Sequence, residues 1–198
     1  MTATRKKRKW SIGAFAAKVD YGEVRDAEHG GIQSVEIVFE CPSPFWLSDA
    51  ETVVKFSYVE GGMSFPLSFP SYFGTLGYLS VIRNNGNAYV PVRVTISGGG
   101  TNPTLTNRTT GGKIQVNRSF GEGDRLFVDT DPDGISVRIE TRNTETGEWT
   151  GENAFGWLSG DSELFTLAPG DNVISFKTDD ENKTLRVTLS YRDRFVGV

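Results

Sequence analysis

The chain contains only one cysteine and one histidine, which removes much of the chemistry used by small enzymes and disulfide-linked domains. Cys41 has no partner for an internal disulfide, and its position after the apolar strand at 35–39 predicts a buried thiol. His29 lies in a polar turn where no strand would orient it as a general base, so we expect it at the surface. Walker A, GxSxG, HExxH and CxxC spacings are absent, so we predict no catalytic, cofactor-binding or metal-binding residue.

Long apolar runs and a strong overall charge are also missing. No stretch approaches the length that spans a bilayer or has the form of a signal peptide, so we expect a soluble protein made in a cytoplasm, without membrane insertion. The net charge of -4 gives no overall attraction to nucleic acid. The basic stretch at residues 5–9 fits a nucleic-acid-binding arm or a nuclear localisation signal. It also fits an exposed segment that leads into a strand near Trp10, and we favour this second interpretation.

The abundant residues indicate β-structure. The chain has 23 glycines and 12% aromatic residues beside frequent Val, Ile and Thr, a composition typical of strands joined by turns. The sequence pattern predicts strands near 8–19, 32–41, 51–59, 77–83, 89–97, 112–117, 124–130, 134–141, 172–177 and 184–191. Short strands at this spacing indicate an all-β fold with an antiparallel β-sandwich or barrel.

Two prolines mark the predicted domain boundary. Pro42 and Pro44 cannot lie inside a central strand, so we expect a short β segment over 1–41 and the main β-sandwich over 42–198. The first segment is too short to hold a core of its own, so its apolar strand positions should need cover from the larger unit or from another chain. These positions include Ile12, Ala14, Ile37 and Phe39.

The stretch DTDPDGISVRIE at 129–140 fits two structures. Its acidic residues and Gly134 match the calcium loop of an EF-hand, whereas DPDG at 131–134 has the residues that a type I turn favours. Glycines upstream and an alternating pattern downstream leave no flanking helices, so we predict a hairpin turn. On this interpretation Glu140 is exposed and glycine suits position 134 because it tolerates a positive φ, while a calcium site of another geometry stays open as an alternative.

Two tryptophans are the candidate ligand contacts. Trp149 and Trp157 lie in the polar, glycine-rich segment 148–160, where exposed rings would offer stacking platforms for sugars. Exposed tryptophans are uncommon without a partner, so we favour buried anchors that hold this segment to the sandwich. The sugar platform is the alternative.

Several short motifs follow one another along residues 39–195. The first are FECPSPFW at 39–46, NNG at 84–86 and the alternating strand VPVRVTISG at 90–98. They are followed by NP at 102–103, LTN at 105–107, GDRL at 123–126, VDT at 128–130, LAPGDN at 167–172 and VTLSYRDRF at 187–195. In this succession the chain resembles the distal tail proteins of long-tailed bacteriophages.

The resemblance implies a non-enzymatic structural protein of the virion tail, made in the cytoplasm of the bacterial host. Proteins of this family form a ring, typically a hexamer, that joins the tail tube to the baseplate or tip hub and sometimes carries receptor-binding proteins. Their amino-terminal domain makes the ring, and their carboxy-terminal domain is a galectin-like sandwich. Residues 8–41 resemble only the last strands of such a ring domain. A carbohydrate-binding module that contacts host cell-wall glycans is the alternative function.

Thermal melts test the turn interpretation of DTDPDG. Without flanking helices, the carboxylates of Asp129, Asp131 and Asp133 have no scaffold that would converge them on a cation. Melts in millimolar calcium and in chelator should therefore coincide. A calcium-dependent rise in Tm that Glu140→Gln abolishes would instead support the EF-hand interpretation.

Overall fold

The structure is a computed structural model of the chain, and it describes residues 2–5, 8–25, 31–56, 78–179 and 185–197. His29 and the end of the predicted strand 51–59 lie outside these ranges. Within them the chain consists of antiparallel strands and turns, with one 3₁₀ turn at Phe155–Trp157. The predicted all-β, antiparallel sandwich class is confirmed.

The strands follow one another with short connections in most of the described chain. They are β1 (Thr2–Arg5), β2 (Arg8–Ser11), β3 (Phe15–Arg25), β4 (Ile32–Glu40), β5 (Trp46–Ser48), β6 (Thr52–Phe56), β7 (Tyr78–Asn84), β8 (Arg93–Ser97), β9 (Gly100–Thr101), β10 (Thr104–Asn107), β11 (Lys113–Gln115), β12 (Ser119–Phe120), β13 (Asp124–Asp129), β14 (Ser136–Arg142), β15 (Trp149–Asn153), β16 (Gly170–Lys177), β17 (Arg186–Tyr191) and β18 (Arg194–Phe195).

The chain divides into two compact units. One comprises Met1–Asp49 with Arg194–Val198, and the other comprises Ala50–Asp193. The smaller unit holds the sheet β1-β2-β5-β18 and the two-stranded hairpin β3-β4. The larger unit holds a six-stranded sheet in the order β15-β14-β13-β8-β17-β6, a four-stranded sheet in the order β11-β10-β16-β7, and the short pair β12-β9.

The larger unit is a sandwich with one apolar core. Inward and outward side chains alternate along β8 and β17, as strands with one buried face require. The six-stranded sheet contributes Val94, Ile96, Leu126, Val128, Val187 and Leu189 to the core, and the four-stranded sheet contributes Ile82, Leu105, Ile114, Ile174 and Phe176. Full burial of such a side chain contributes about 1.5–3 kcal/mol, so this unit has a core of its own.

Three buried asparagines fix turns of the sandwich. Asn107 and Asn172 are fully buried, and Asn107 Nδ2 donates to Asn172 Oδ1 over 3.1 Å. Each also bonds the backbone of its own turn. Asn84 donates to the carbonyl oxygens of Ala88 and Leu167. Because a buried amide is costly to leave unpaired, these bonds favour one backbone conformation at each turn.

The smaller unit contains a sheet built around Trp10. Trp10 is buried, and its ring packs edge-on against Phe195, with the ring centroids 6.1 Å apart. Phe195 reaches this position because β18 pairs with β5, where Phe195 lies opposite Trp46. Residues from the last strand therefore complete a sheet that begins at the other end of the chain.

The predicted strands correspond to β2, β3, β4, β6, β7, β8, β11, β13, β14, β16 and β17, whereas β1, β5, β9, β10, β12, β15 and β18 were not predicted. Local breaks also changed the bounds of some predicted strands. The predicted strand 8–19 is divided in two, because the chain leaves the strand conformation at residues 12–14. Strand 89–97 shortens to β8 with an isolated bridge at Val90, since Pro91 has no N–H to donate. The strand expected near Trp10 is β2, and the basic stretch extends into strands on both sides, because Arg5 ends β1 and lies opposite Arg8, which begins β2.

DTDPDG forms a turn between two strands, as predicted. The Gly134 N–H donates to the Asp131 carbonyl oxygen over 2.9 Å, and β13 and β14 pair on either side. Gly134 does not adopt the positive φ that glycine tolerates. A Cβ at this position would meet no described atom within 4 Å, so the turn does not require glycine there.

Glu140 was predicted to be exposed, but it is buried. It is 8% exposed, and its carboxylate lies 2.6 Å from Arg125 Nε and 3.5 Å from Arg138 Nη2. Gly151 lies opposite Glu140 on β15, where a Cβ would come within 2.9 Å of Glu140 Cγ. The missing side chain at Gly151 therefore leaves room for Glu140 to lie against the neighbouring strand.

Substitutions at Glu140 and Gly134 should have different effects on stability. Glu140→Gln should lower the free energy of unfolding by about 1–2 kcal/mol, because it removes the charge from a buried, hydrogen-bonded ion pair. Gly134→Ala should be neutral or raise it by up to about 1 kcal/mol, because alanine restricts the unfolded chain and fits the turn. Urea unfolding followed by circular dichroism measures both. Equal stability of the two variants would contradict the buried position of Glu140.

Candidate functional site

The hairpin β3-β4 has no second layer of sheet above it in the described chain. Its two strands pair with each other and with no other named strand. The pairing runs from Phe15 opposite Glu40 to Arg25 opposite Ile32, with irregularities after Ala16 and after Tyr21. A two-stranded hairpin is only marginally stable in water unless something packs on its face.

The two faces of this hairpin differ in chemistry. Side chains of directly paired residues point to the same side of a sheet, and successive side chains point to opposite sides. The apolar face consists of Ala16, Val19, Tyr21, Val35, Ile37 and Phe39. The opposite, polar face consists of Phe15, Lys18, Asp20, Glu36, Val38 and Glu40, of which Lys18 and Asp20 form an ion pair of 2.6 Å.

A β-bulge at Ala17 brings the apolar side chains together. The ladder passes from Ala16 opposite Phe39 to Lys18 opposite Val38, which leaves Ala17 as an extra residue on β3. A shift of one residue moves a whole strand to the other face of the sheet. In a regular ladder Lys18 would therefore lie opposite Ile37, whereas the bulge places Val19 there.

The apolar face is open to solvent. Tyr21 is 70% exposed, and Val19, Val35, Ile37 and Phe39 are between 40% and 49% exposed. Isolated apolar side chains at a surface need no explanation, but a contiguous group of this kind marks a surface that binds a partner. The apolar face is therefore the candidate functional site.

Sequence reasoning identified part of this surface. Ile37 and Phe39 lack cover as expected, whereas Ile12 is buried and Ala14 is half-buried. Tyr21 was not predicted to lie on this surface, because the bulge at Ala17 determines which face of the hairpin carries its side chain. The buried thiol predicted for Cys41 was wrong: the residue is exposed, since apolar neighbours in sequence do not provide a covering layer.

Trp149 and Trp157 are exposed by 40% and 46%, so the expectation that both are buried anchors was wrong. The guanidinium carbon of Arg125 lies 3.9 Å from the Trp149 ring centroid, and that of Arg118 lies 5.1 Å from the Trp157 ring centroid. Each of these arginines also forms an ion pair with a glutamate. The cation–π contacts cover part of each ring without removing it from water.

The structure does not join the two tryptophans into one site. Trp149 lies on β15 opposite Arg142, and Trp157 lies in the following 3₁₀ turn. Among the described residues, no ring contact links them and no group of three or more His, Cys, Asp or Glu side chains could hold a metal ion. That part of the chain also contains no helix long and apolar enough to cross a membrane.

Comparison with family models finds a match over residues 85–195, more than half of the 198-residue chain. The matching model is described as the siphovirus-type tail component, C-terminal domain. The match includes the motifs from VPVRVTISG to VTLSYRDRF, while FECPSPFW lies before it. No curated protein matches the chain.

Quenching of tryptophan fluorescence by acrylamide tests the positions of the four tryptophans. Replacing both Trp149 and Trp157 by phenylalanine should remove most of the readily quenched emission, because these indoles are open to collision with the quencher. Trp10→Phe should leave the readily quenched fraction in place, since Trp10 is only 9% exposed. A readily quenched fraction that is no smaller in the double variant than in the unmodified protein would contradict the exposure of the two rings, since half-buried Trp46 accounts only for a remainder.

Proposed function

Because the chain belongs to the siphovirus-type tail component family, we propose that it is a non-enzymatic structural protein that forms a ring joining the tail tube to the tip. A protein of this family is a component of the virion tail, where its role lies in contacts with other tail proteins. The proposed partners are further copies of this chain, the tail tube, the tip hub and a receptor-binding protein. Synthesis in the bacterial host cytoplasm would precede assembly.

The observation that supports self-assembly is the uncovered apolar face of β3-β4. A second copy of this chain is the proposed occupant, because every copy presents the same uncovered face and all of them can be covered together in one closed assembly. Each hairpin strand also has one edge without a paired strand in the described chain, and such edges readily pair with another chain. Burial of apolar side chains and pairing of backbone groups would then act together.

In the proposed closed ring, the apolar face of each copy would bind a different surface of the next copy. When one surface of a subunit binds a different surface of the next, the contacts close into a ring if the rotation between subunits permits it. The family resemblance favours six copies. We also propose that residues 1–41 are the end of a ring-forming domain and that 42–198 contain the outward sandwich, whose own core lies within Ala50–Asp193.

Ile37→Glu should convert the assembly into single chains of 21.8 kDa. The substitution places a carboxylate in the centre of the apolar face, and removing an unpaired charge from water costs several kcal/mol. The isolated chain should keep its stability to within about 0.5 kcal/mol, because the site is exposed before assembly. Multi-angle light scattering at tens of micromolar measures the mass.

Val38→Glu is the matched control. Val38 is the next residue on β4, is 44% exposed against 47% for Ile37, and lies on the polar face. The control variant should keep the mass of the unmodified protein. A single-chain mass for the unmodified protein would contradict self-assembly, and equal dissociation of the two variants would contradict the role of the apolar face.

A further inference from the structure

The outer face of the six-stranded sheet is cationic, although the whole chain has a net charge of -4. The outward residues follow from the pairing register, because directly paired side chains share one face. The basic ones are Lys55, Arg93, Arg125, Arg138, Arg142 and Arg186, and the acidic ones are Asp129 and Glu140. This face therefore differs in charge from the chain as a whole.

Small hydroxyl side chains occupy part of this face, on the neighbouring strands β8 and β17, which both lie inside the sheet. The hydroxyl patch consists of Thr95, Ser97, Thr188 and Ser190. All four are half-buried, and none of their hydroxyls forms a side-chain hydrogen bond with a residue in the described ranges. Longer side chains lie on the flanking strands, including Lys55 on β6 and Phe127 on β13. Because serine and threonine are shorter than these neighbours, the register implies a shallow trough with the hydroxyl patch as its floor.

The arginines on one side of the trough are held in fixed positions. Arg125 lies between the Glu140 carboxylate, at 2.6 Å, and the ring of Trp149, at 3.9 Å. The Arg138 guanidinium contacts the same carboxylate at 3.5 Å and lies 5.2 Å from the Phe127 ring centroid. Donors that are already ordered lose less conformational entropy when a ligand binds.

Positive charge is concentrated at one end of the trough. At the other end, Arg93 donates to Asp129 over 2.8 Å, and this bond, with the charges of Asp129, Glu51 and Asp131, raises the pKa of Arg93. Arg186 forms no ion pair with a described residue. Ser97 lies between Arg186 and Arg125 in the same row, which separates these two positions by about 10 Å at the usual strand spacing.

We propose that this trough binds an acidic polysaccharide, whose hydroxyl groups bond the hydroxyl patch and whose carboxylate or phosphate groups bond Arg186 and Arg125. Serine and threonine hydroxyls both donate and accept, as sugar hydroxyls do. A guanidinium group can bind a carboxylate or a phosphate through two parallel hydrogen bonds. This role goes beyond assembly and does not depend on it.

The shape and chemistry of the trough favour a glycan over a peptide. Protein partners are anchored by aromatic or apolar side chains in pockets, and the hydroxyl floor offers no such pocket. Peptides also bind by extending a sheet edge, but β8 and β17 both lie inside the six-stranded sheet. A polar polymer laid across the face needs neither feature.

Calorimetric titration of the full chain with short oligosaccharides tests this proposal. An oligoguluronate carries carboxylates and an oligosaccharide of phosphomannan carries phosphates, so the two probes distinguish the possible anionic groups. At least one should bind, with an affinity that falls as salt is added. A dextran oligosaccharide and an oligoglutamate of the same length should bind at least about tenfold more weakly. Dextran lacks anionic groups for the arginines, and oligoglutamate lacks sugar hydroxyls for the hydroxyl patch.

Two variants and a control locate the site. Arg186→Gln should weaken binding by about tenfold, because it removes a charge-assisted contact. Replacing both Thr95 and Thr188 by valine removes two hydroxyls with little change of shape, and should weaken binding by about fivefold. Arg83→Gln removes an equal charge from β7 of the other sheet and should leave affinity unchanged. Thermal melts confirm that each variant is folded.

Several results would overturn the proposal. They are the absence of binding to both acidic oligosaccharides, equal binding of dextran or oligoglutamate, and equal loss of affinity in Arg83→Gln and Arg186→Gln. Without binding to either acidic oligosaccharide, the proposed class of ligand would be wrong. Equal binding of dextran would mean that any sugar binds, and equal binding of oligoglutamate or equal loss in the two arginine variants would mean that only net charge matters. Unchanged affinity in Arg186→Gln and in the double valine variant would place the ligand elsewhere and would equally overturn it.

Discussion

A two-stranded hairpin cannot cover its own apolar side chains, and this constraint determines how the smaller unit can function. The strands Phe15–Arg25 and Ile32–Glu40 satisfy backbone groups by pairing with each other. A backbone hydrogen bond contributes about 0.5–1.5 kcal/mol net, while ordering the backbone costs about 1–2 kcal/mol per residue. Pairing alone therefore does not stabilise the hairpin, and burial of its apolar face must supply the difference. In the proposed assembly, the same apolar contacts would couple folding of this segment to binding of a partner.

The sandwich, unlike the hairpin, buries its apolar side chains within its own fold. Its two main sheets bury their inward residues in one common core, and Asn84, Asn107 and Asn172 hold its turns by buried hydrogen bonds. A unit that is stable without a partner can carry any chemistry on its outer face that does not disturb the core. That freedom accounts for a basic, hydroxyl-rich face on a chain of net negative charge. Removing one surface charge there should change stability by no more than about 0.5 kcal/mol, whereas removing a core side chain costs more.

Local sequence patterns predicted the strands and turns, because alternation and turn residues act within a few positions of the chain. The turn at DTDPDG and the strands on either side are examples. Burial at a given position depends on residues that are distant in sequence. Glu140 is buried because Gly151 leaves space beside it and Arg125 neutralises it, and neither partner can be recognised from the strand that contains Glu140. Cys41 follows an apolar strand and is exposed, because the layer that would bury it is absent from the described chain.

The apolar face of the hairpin shows how strongly such a surface depends on register. Its apolar residues do not alternate regularly along β3, so a regular ladder would place Lys18 and Asp20 opposite Ile37 and Val35. Charged side chains in the middle of an apolar interface would have to be desolvated on assembly, at a cost that the remaining apolar contacts would not offset. The extra residue at Ala17 moves both charges to the polar face, where they pair with each other in water. The separation into an apolar and a polar face is therefore encoded in the bulge together with the apolar residues, since the same side chains in a regular ladder would form two mixed faces.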